Sequence, residues 1–586
     1  MYYYPPHQKE CEEVQTYIYQ PNTMTTIRNN RALPNDTVSI KDNEVIAIQQ
    51  RSKSHSSIHG ILNIKRTKLY GTDKKGRRYY LFYPQDKSYP HFIVGIQSRK
   101  FQSPIYVSIS FHIWKTTSKL PIGRIEYIYG RTDDLHSIIK YQMGLYRISQ
   151  KPYTIPSHVN HIDNEVMLPV IDFTMESNLS ICSIDPYGCC DIDDAIHARY
   201  MTSSSRYLEL GIHIADPTQW FHPFSTDCEK SSTLYTPYGT FLMLDESISY
   251  EEASLCEGKK RKSLSLCLYY DTNTKSFVSM KLVQGIIQVR KNTNYDTVDK
   301  IITSTKTQEN ELGWIRDMIQ QSNPYIQQHL YSLGVDTSSF SNMENSISKQ
   351  WIADCMVLTN IMVGYWMTQF RPSYCILRGR DSLEKEEQQV NVSFPSIPSN
   401  YHSQVKAFLR KNSTSIEYKR CLQIQHPFLN VNTYTHFTSP IRRRIDCVIH
   451  WIIKYPNSVE ESSVDMICNK INQQEKIQNQ LIRSFERFQF IEEIRKTPSN
   501  FIDIDGYIIE KQNSGIVCLC TSSPYERKII TYSFVPNDVR QYLNQVDYIH
   551  ENNDMIVVGQ CVTIRFQIIY DTMQHPYLCP TRLSIN

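Results

Sequence analysis

The stretch Ser183 to Ala198, SIDPYGCCDIDDAIHA, sets four carboxylates, Asp185, Asp191, Asp193 and Asp194, around one short turn. Like charges packed this closely cannot all stay ionised without a compensating cation, and an oxygen-only donor set suits Mg²⁺ or Mn²⁺. Pro186 and Gly188 rule out a helix, so the segment reads as a strand end, a turn and a second extended piece. In that piece Asp191 and Asp193 share a face and Asp194 takes the other. A solvated acidic turn is the plain alternative, since Asp is a common turn residue. The flanks weigh against it: apolar Ile181 and Ile184 before the cluster, and Ala195 and Ile196 after it, point to burial, where unpaired carboxylates are costly. A calcium-binding EF-hand loop does not fit. Counted from Asp191, its sixth and twelfth positions would be Ile196 and Thr202, where Gly and Glu are required.

With 586 residues the chain is too long for one core and should hold several domains. Its net charge of +4 is too small to decide for or against nucleic acid, so local patterning must. The sixteen cysteines show no paired CxxC spacing, and the start, MYYYPPHQKE, is no apolar leader. Reduced thiols inside a cell, in the cytoplasm or alternatively the nucleus, are the expectation. Cys189 and Cys190 read as small buried side chains rather than zinc ligands, because no other Cys or His stands at zinc-site spacing. The longest apolar stretch, near Met356 to Met367, is broken by Thr359, Asn360 and Gly364 and falls short of the roughly 20 residues of a membrane span. No membrane association is expected.

From Gly60 to Val94, and again from Ile105 to Gly130, short β-type runs alternate with Gly, Asp and Pro turns, the pattern of a small barrel. Lys65, Arg66, Lys68, Lys74, Lys75, Arg77 and Arg78 interleave with Tyr70, Tyr79 and Tyr80. That mixture suits unpaired bases, and a solvated charged hairpin would look the same. The segment from Phe501 onward is β-rich as well. Between these ends Ile352, Cys355, Met356, Thr359, Met362, Val363, Trp366 and Met367 recur at helical spacing, as do Ile477, Leu481, Phe485 and Phe488. The fold class is therefore multidomain α+β, with a mixed α/β centre flanked by small all-β barrels.

A second constellation is YTHFTSPIRRRIDCVIH, Tyr434 to His450, read as the start of a helix carrying Arg442, Arg443 and Arg444. Helix N-termini and guanidinium forks both bind phosphate oxygens, although three arginines alone are more often an exposed basic face. Pairing them with an acidic metal site supplies the parts of a phosphoryl-transfer centre: a cation to activate water, and a fixed positive charge for the transition state. The segment GIHIADPTQW, Gly211 to Trp220, places Asp216 after a buried strand. LYTPYG, Leu234 to Gly239, leaves Tyr235 on a loop. His213, alone in an apolar strand, reads as structural.

The segments ICSIDPYGCCDIDDAIHA, GIHIADPTQWF, LYTP and YTHFTSPIRRRID closely resemble the RNB domain of the RNase II family, in its eukaryotic exosome-exonuclease branch. FHIWKTTSKLPIG and YPQDKSYPHFIV resemble the second cold-shock domain of that branch. The resemblance implies a partial cold-shock module over 1–57, a second cold-shock barrel of the OB type over 58–165, an RNB domain over 166–497 and a C-terminal OB-type RNA-binding domain over 498–586. It also implies a monomer that degrades single-stranded RNA processively from the 3′ end to nucleoside 5′-monophosphates, using Mg²⁺, with Mn²⁺ as the substitute. Asp185, Asp191 and Asp194 would hold the metal. Asp193 would be the residue whose loss stops chemistry while RNA still binds, and Arg442 would contact the scissile or a neighbouring phosphate. Tyr235 would stack on a base near the 3′ end, and Arg443 would join the RNA contacts. A catalytically silent RNA-binding regulator is the competing class, but such relatives have lost metal-site aspartates and this chain keeps four.

The departures are Arg444, where the family usually has an aromatic, Tyr238, Gly239 and Thr240 after Tyr235, a shortened loop from Cys256 to Ser265, and Asp354 where Glu is usual. The text before the cold-shock region does not match the N-terminal PIN endonuclease domain of that branch. Endonuclease activity is not expected, and docking onto an exosome core is in doubt.

Overall fold

The computed structural model describes residues 15–585 apart from 26–29, 65–69, 73–75, 98–102, 150, 155–167, 177, 202–205, 226–229, 305–310, 336–345, 381–396, 399–400, 403–404, 406–415, 500, 513–514, 523–528, 534–557 and 571–575. Lys65, Arg66, Lys68, Lys74 and Lys75 lie outside the described residues. Two compact units emerge, one built on Met1–Arg147 and the other on Ile148–Asn537, with the remaining C-terminal segments divided between them.

In the first unit, β1 (Gln15–Ile18), β2 (Thr37–Lys41) and β3 (Glu44–Gln50) form an antiparallel sheet. Strands β4 (Ile58–Asn63), β5 (Arg78–Pro84), β6 (Phe92–Ile96), β7 (Ile105–Ile113) and β8 (Ile122–Arg131) then close a barrel in the order β4-β5-β6-β8-β7. Its interior is Leu62, Phe82, Phe92, Val94, Ile105, Val107 and Ile109, the inward half of alternating strands. Gly60 faces Tyr83 so closely that a Cβ would lie 2.1 Å from its carbonyl oxygen. Helix α1 (Leu135–Leu145) follows, capped by Asp134, whose carboxylate accepts from the Ser137 amide.

The second unit is organised by a seven-stranded sheet. Its members are β9 (Val170–Asp172), β10 (Cys182–Asp185), β11 (Asp194–Tyr200), β12 (Tyr207–Ala215), β15 (Lys260–Asp271), β16 (Ser276–Gln288) and β17 (Lys291–Asn294), in the order β17-β10-β11-β12-β15-β16-β9. A short hairpin, β13 (Leu234–Thr236) with β14 (Gly239–Phe241), leaves the sheet, so Tyr235 lies in a strand rather than a loop. Leu208, Leu210, Ile212 and Ile214 send one face of β12 into a core shared with α2 (Tyr295–Thr303), α3 (Gly313–Ser332) and α4 (Ile347–Phe370). The helical periodicity read around Ile352 to Met367 is α4. A small hairpin, β18 (Ile376–Gly379) with β19 (Glu417–Arg420), precedes α5 (Arg444–Lys454) and the long α6 (Glu461–Arg495), which carries Leu481, Phe485 and Phe488 inward.

The other sheet face packs His197 against His213, whose Nδ1 lies 2.7 Å from Ser265 Oγ, so the lone-looking strand histidine is satisfied and buried. Beyond α6, β20 (Phe501–Gln512), β21 (Gly515–Cys520), β22 (Ile529–Ser533), β23 (Cys561–Tyr570) and β24 (Pro576–Ile585) make a five-stranded antiparallel sheet. The described cysteines are free thiols, and no helix among the described residues is long and apolar enough to cross a membrane.

Buried ionisable groups at two places bear on the stability of this unit. Lys454, at the end of α5, is 1% exposed; its Nζ lies 2.6 Å from Asp216 Oδ2 and also donates to Thr218 Oγ1. Removing one member of such a pair strands the other, so Lys454→Met should lower the unfolding free energy by about 3 kcal/mol, and adding Asp216→Asn should recover most of it in denaturant titrations. Asp354 on α4 accepts from Gln327 and, at 2.8 Å, from Gln350, with no cation bonded to it among the described residues, and burial pushes its carboxyl up to about 6. A folded value above the unfolded one means stability is fully present at low pH and is lost as pH rises through about 6. Asp354→Asn should therefore match the parent below roughly pH 4 and exceed it by about 2 kcal/mol above pH 7.

Candidate active site

The acidic turn begins where β10 ends. Pro186 and Tyr187 lead to Gly188, whose φ of +80° is the left-handed value that favours glycine, and the Cys189 amide donates to the Pro186 carbonyl at 3.1 Å. Ser254 fastens the return leg: its Oγ accepts from the Ile192 amide at 3.1 Å and donates to the Cys190 carbonyl at 2.8 Å. The alternation read from the sequence then separates the four aspartates into two pairs.

Asp185 and Asp194 form the first pair. Asp185, the last residue of β10, keeps Oδ2 buried without a hydrogen-bond partner. Burial, with the Asp191 charge adding to it, pushes the Asp185 carboxyl up to about 6 against the Ser183 hydroxyl and Arg442. Asp194 opens β11; burial first, then the charges of Asp185 and Asp193, hold it well above the usual carboxylate range. Tyr295, at the head of α2, faces the same two carboxylates, and burial and their charges raise its phenol.

Asp191 and Asp193 are instead tied to protein donors. Asp193 is 4% exposed, takes the Ile441 amide on Oδ1 at 2.9 Å and Arg442 Nε on Oδ2 at 3.1 Å. Burial still pushes its carboxyl up to about 7, against the pull of Arg442 and the Ile441 amide. Asp191 accepts the Tyr235 hydroxyl on Oδ2 at 2.6 Å, with the Cys189 thiol 3.6 Å from Oδ1.

Arg442 and Arg443 do not ride on a helix. Arg443 is extended, with φ −133° and ψ 122°, and α5 starts only at Arg444. The reason is a backbone seam: Thr233 donates to the Arg442 carbonyl at 2.9 Å, Arg444 donates to the Ser231 carbonyl at 2.8 Å, and Ser232 bridges to Arg443. The seam draws Arg443 into a β-bridge between backbone bonds at 442 and 444 and ties the Tyr235 hairpin to Arg442. Gln478 of α6 receives the hydroxyls of Ser231 and Ser232 at 2.8 and 2.9 Å.

The three arginines differ in consequence. Arg442 uses Nε on Asp193 and Nη2 on Ser439 Oγ at 3.0 Å, and its side chain is 45% exposed with Nη1 in no hydrogen bond to the described residues. Arg443 turns inward, donating from Nη2 to Asp446 at 2.9 Å. Arg444 is fully buried and donates to the Pro223 and Ser225 carbonyls at 2.8 and 2.6 Å, filling by hydrogen bonding a place where an aromatic would pack. Of the altered hairpin residues, Tyr238 lies edge-on to Phe485 of α6 with ring centroids 5.6 Å apart.

Thus Asp185, Asp191, Asp193, Asp194, Tyr235 and Arg442 are brought together, while Arg443 is engaged one step behind them. Sequence reading missed Ser254, the seam at Ser231 to Thr233, Gln478 and Asp446. Asp446 had a visible signal, an acidic residue at a helix start, and it takes the Ser439 amide at 2.8 Å as well as Arg443. The others are ordinary polar residues with no local mark.

The donor chemistry fits a hard divalent cation. Asp185 offers an unpartnered buried oxygen beside a second carboxylate, and an ion there would relieve the repulsion that raises both. Among the described residues no three acidic, His or Cys side chains converge as a ready-made cage. That is compatible with Mg²⁺, which keeps several waters and takes few protein ligands.

Residues 174–456 match the RNB domain. The chain is 22% identical over 514 residues to the mouse (Mus musculus) exosome complex exonuclease RRP44, covering 77% of this chain and 53% of that protein. It is 24% identical over 398 residues to ribonuclease R of Chlamydia pneumoniae, covering 59% and 57%. The chain thus spans somewhat more than half the length of these curated relatives. Among solved structures, Mycoplasma genitalium RNase R in complex with ribose-methylated single-stranded RNA superposes with a TM-score of 0.67 at 18% identity, over 94% of this chain and 95% of that one. Yeast Ssd1, described as a pseudonuclease, gives 0.60 at 13% identity, over 95% and 92%. The carboxylate turn, the sheet strands around it and the arginine facing it therefore belong to an RNB domain.

Proposed function

We propose that the chain is a processive 3′→5′ exoribonuclease that hydrolyses single-stranded RNA to nucleoside 5′-monophosphates inside the cell, in the cytoplasm, with Mg²⁺ as cofactor and Mn²⁺ as its substitute. The observation that carries this reading is the buried Asp185–Asp194 pair, short of a compensating cation, beside an arginine fixed by Asp193 with a free guanidinium nitrogen. The working domain division is 1–57, 58–165, 166–497 and 498–586, with the β-rich modules assigned to RNA binding.

Asp185 and Asp194 would hold the metal directly, with Asp191 completing the set. When bound, the cation would neutralise non-bridging phosphate oxygens and lower the pKa of a water for attack. Arg442 meets the phosphate with Nη1 while Nε and Nη2 stay on Asp193 and Ser439, so its orientation is set before substrate arrives. Asp193 is a positioning residue: it fixes that guanidinium and the Ile441 amide beneath it. Tyr235, with its ring 49% exposed, offers a face to a terminal base, and base stacking tolerates any sequence.

The resemblance in fold to a pseudonuclease gives the second reading, an RNA-binding regulator on a silent RNB scaffold. Retention of all four aspartates and of Arg442 favours the enzyme.

Incubation of the protein with 5′-labelled single-stranded RNA and Mg²⁺ separates the two. The parent should shorten the RNA from its 3′ end to a short product, and Asp193→Asn should leave it intact while binding it with affinity within a few-fold of the parent. RNA bound but uncut by the parent establishes the regulator, and equal cutting of DNA refutes the substrate class. Arg442→Lys keeps the charge but cannot span Asp193 and Ser439 together, so turnover should fall by about 10²-fold with little change in RNA affinity.

A further inference from the structure

We propose that Tyr235 is a latch on the metal site: its hydroxyl competes with the divalent cation for Asp191, so that loading the site releases the aromatic ring to clamp the RNA 3′ end. This rests on the reading of the acidic turn as a cation site and of Tyr235 as its stacking residue.

The four aspartates are not equally available. Asp185 keeps a buried oxygen with no partner, whereas Asp191 is engaged at both oxygens, by the Tyr235 hydroxyl at 2.6 Å and by the Cys189 thiol at 3.6 Å. The phenol takes one lone pair of Oδ2 and part of the negative charge a metal ion would use, so hydroxyl and cation compete for the charge and orientation of the same carboxylate. A cation that draws on the charge and orientation of Asp191 therefore weakens the hydrogen bond that, among the described residues, holds the phenol tip.

The mounting of Tyr235 suits a moving part on a fixed base. It stands mid-strand in β13, opposite Thr240, with its ring 49% exposed. The root of its hairpin is bonded to the Arg442 carbonyl at Thr233 and, at Ser232, to Gln478 of α6. Release at the tip thus leaves the hairpin in register with Arg442, and the ring can meet a base without disturbing the phosphate contact. The result is an order of events: with the site empty the clamp is pinned, and with the site loaded it is free. Metal occupancy and capture of the 3′ end become thermodynamically linked, each favouring the other.

The test is Mn²⁺ binding to the full RNA-free chain, followed by electron paramagnetic resonance of the free ion. Tyr235→Phe keeps the ring and removes the competing hydroxyl, so Mn²⁺ should bind it roughly three- to tenfold more tightly than the parent, the net worth of an ordinary hydrogen bond. Tyr238→Phe, on the same hairpin but packed against Phe485, should bind as the parent does. In an Asp193→Asn background, where hydrolysis is off, Mn²⁺ should tighten binding of a single-stranded RNA more than it does when Tyr235→Phe is added. Equal Mn²⁺ affinity in Tyr235→Phe and parent overturns the latch alone. Weaker affinity overturns it in favour of a hydroxyl that orients Asp191 for the metal. Failure of both proteins to bind Mn²⁺ overturns the cation-site reading, and the latch with it.

Discussion

Carboxylates taken out of water must be neutralised by a proton, a cation or a set of donors, and four of them lie in one turn of this chain. The arrangement meets that constraint in two ways at once. Asp193 is answered from within the protein by Arg442, and Asp191 by the hydroxyl of Tyr235. At Asp185 and Asp194 the Ser183 hydroxyl and the Arg442 charge do not offset burial and the neighbouring carboxylates, which drive both toward protonation unless a cation arrives. Residue alternation along an extended strand is what sorts them: 191 and 193 face the arginine and tyrosine, and 194 faces back across the sheet to 185.

The rest of the unit serves to keep that sorting in place. A seven-stranded sheet fixes Asp185 and Asp194 on adjacent antiparallel strands, with β11 locked to β12 along its whole length. Gly211 is needed on β12 because a Cβ there would lie 2.1 Å from the His197 ring. Ser254 pins the turn from outside the sheet, and the backbone seam between 231–233 and 442–444 delivers Tyr235 and Arg442 as one piece. Behind the seam, Lys454 and Asp216 tie the far end of α5 to the turn that follows β12. Each is a polar contact in a buried place, which gives rigidity only while every partner is present.

Much of this was legible in the chain itself. The acidic turn announced itself by charge density, and Pro186 and Gly188 gave its shape. Helical periodicity marked α4 and α6, and alternating strands marked the barrel of β4 to β8. Arg442 and Arg443 were misread as helical, because Ser439 and Pro440 resemble a helix start, whereas Arg444 does open α5. A backbone seam with a segment some 200 residues earlier holds Arg443 extended and delays the helix to Arg444, and no local pattern reveals a partner that distant. Arg443 turns Nη2 to Asp446, a partner only three residues on, while Ser254 and Gln478 gave no signal at all. The division of the aspartates into a cation pair and a tethering pair was half legible. Alternation gave the two faces, but only the fold shows what each face meets.

The central claim is that Asp185 and Asp194 build a divalent-cation site. Anomalous diffraction from crystals of the protein grown with Mn²⁺ tests it most directly. The account predicts a single strong peak between these two carboxylates, about 2.1 Å from an oxygen of each, with Arg442 still on Asp193. A structure in which Mn²⁺ binds elsewhere, or in which Asp185 and Asp194 share a proton with no ion between them at millimolar Mn²⁺, would contradict it.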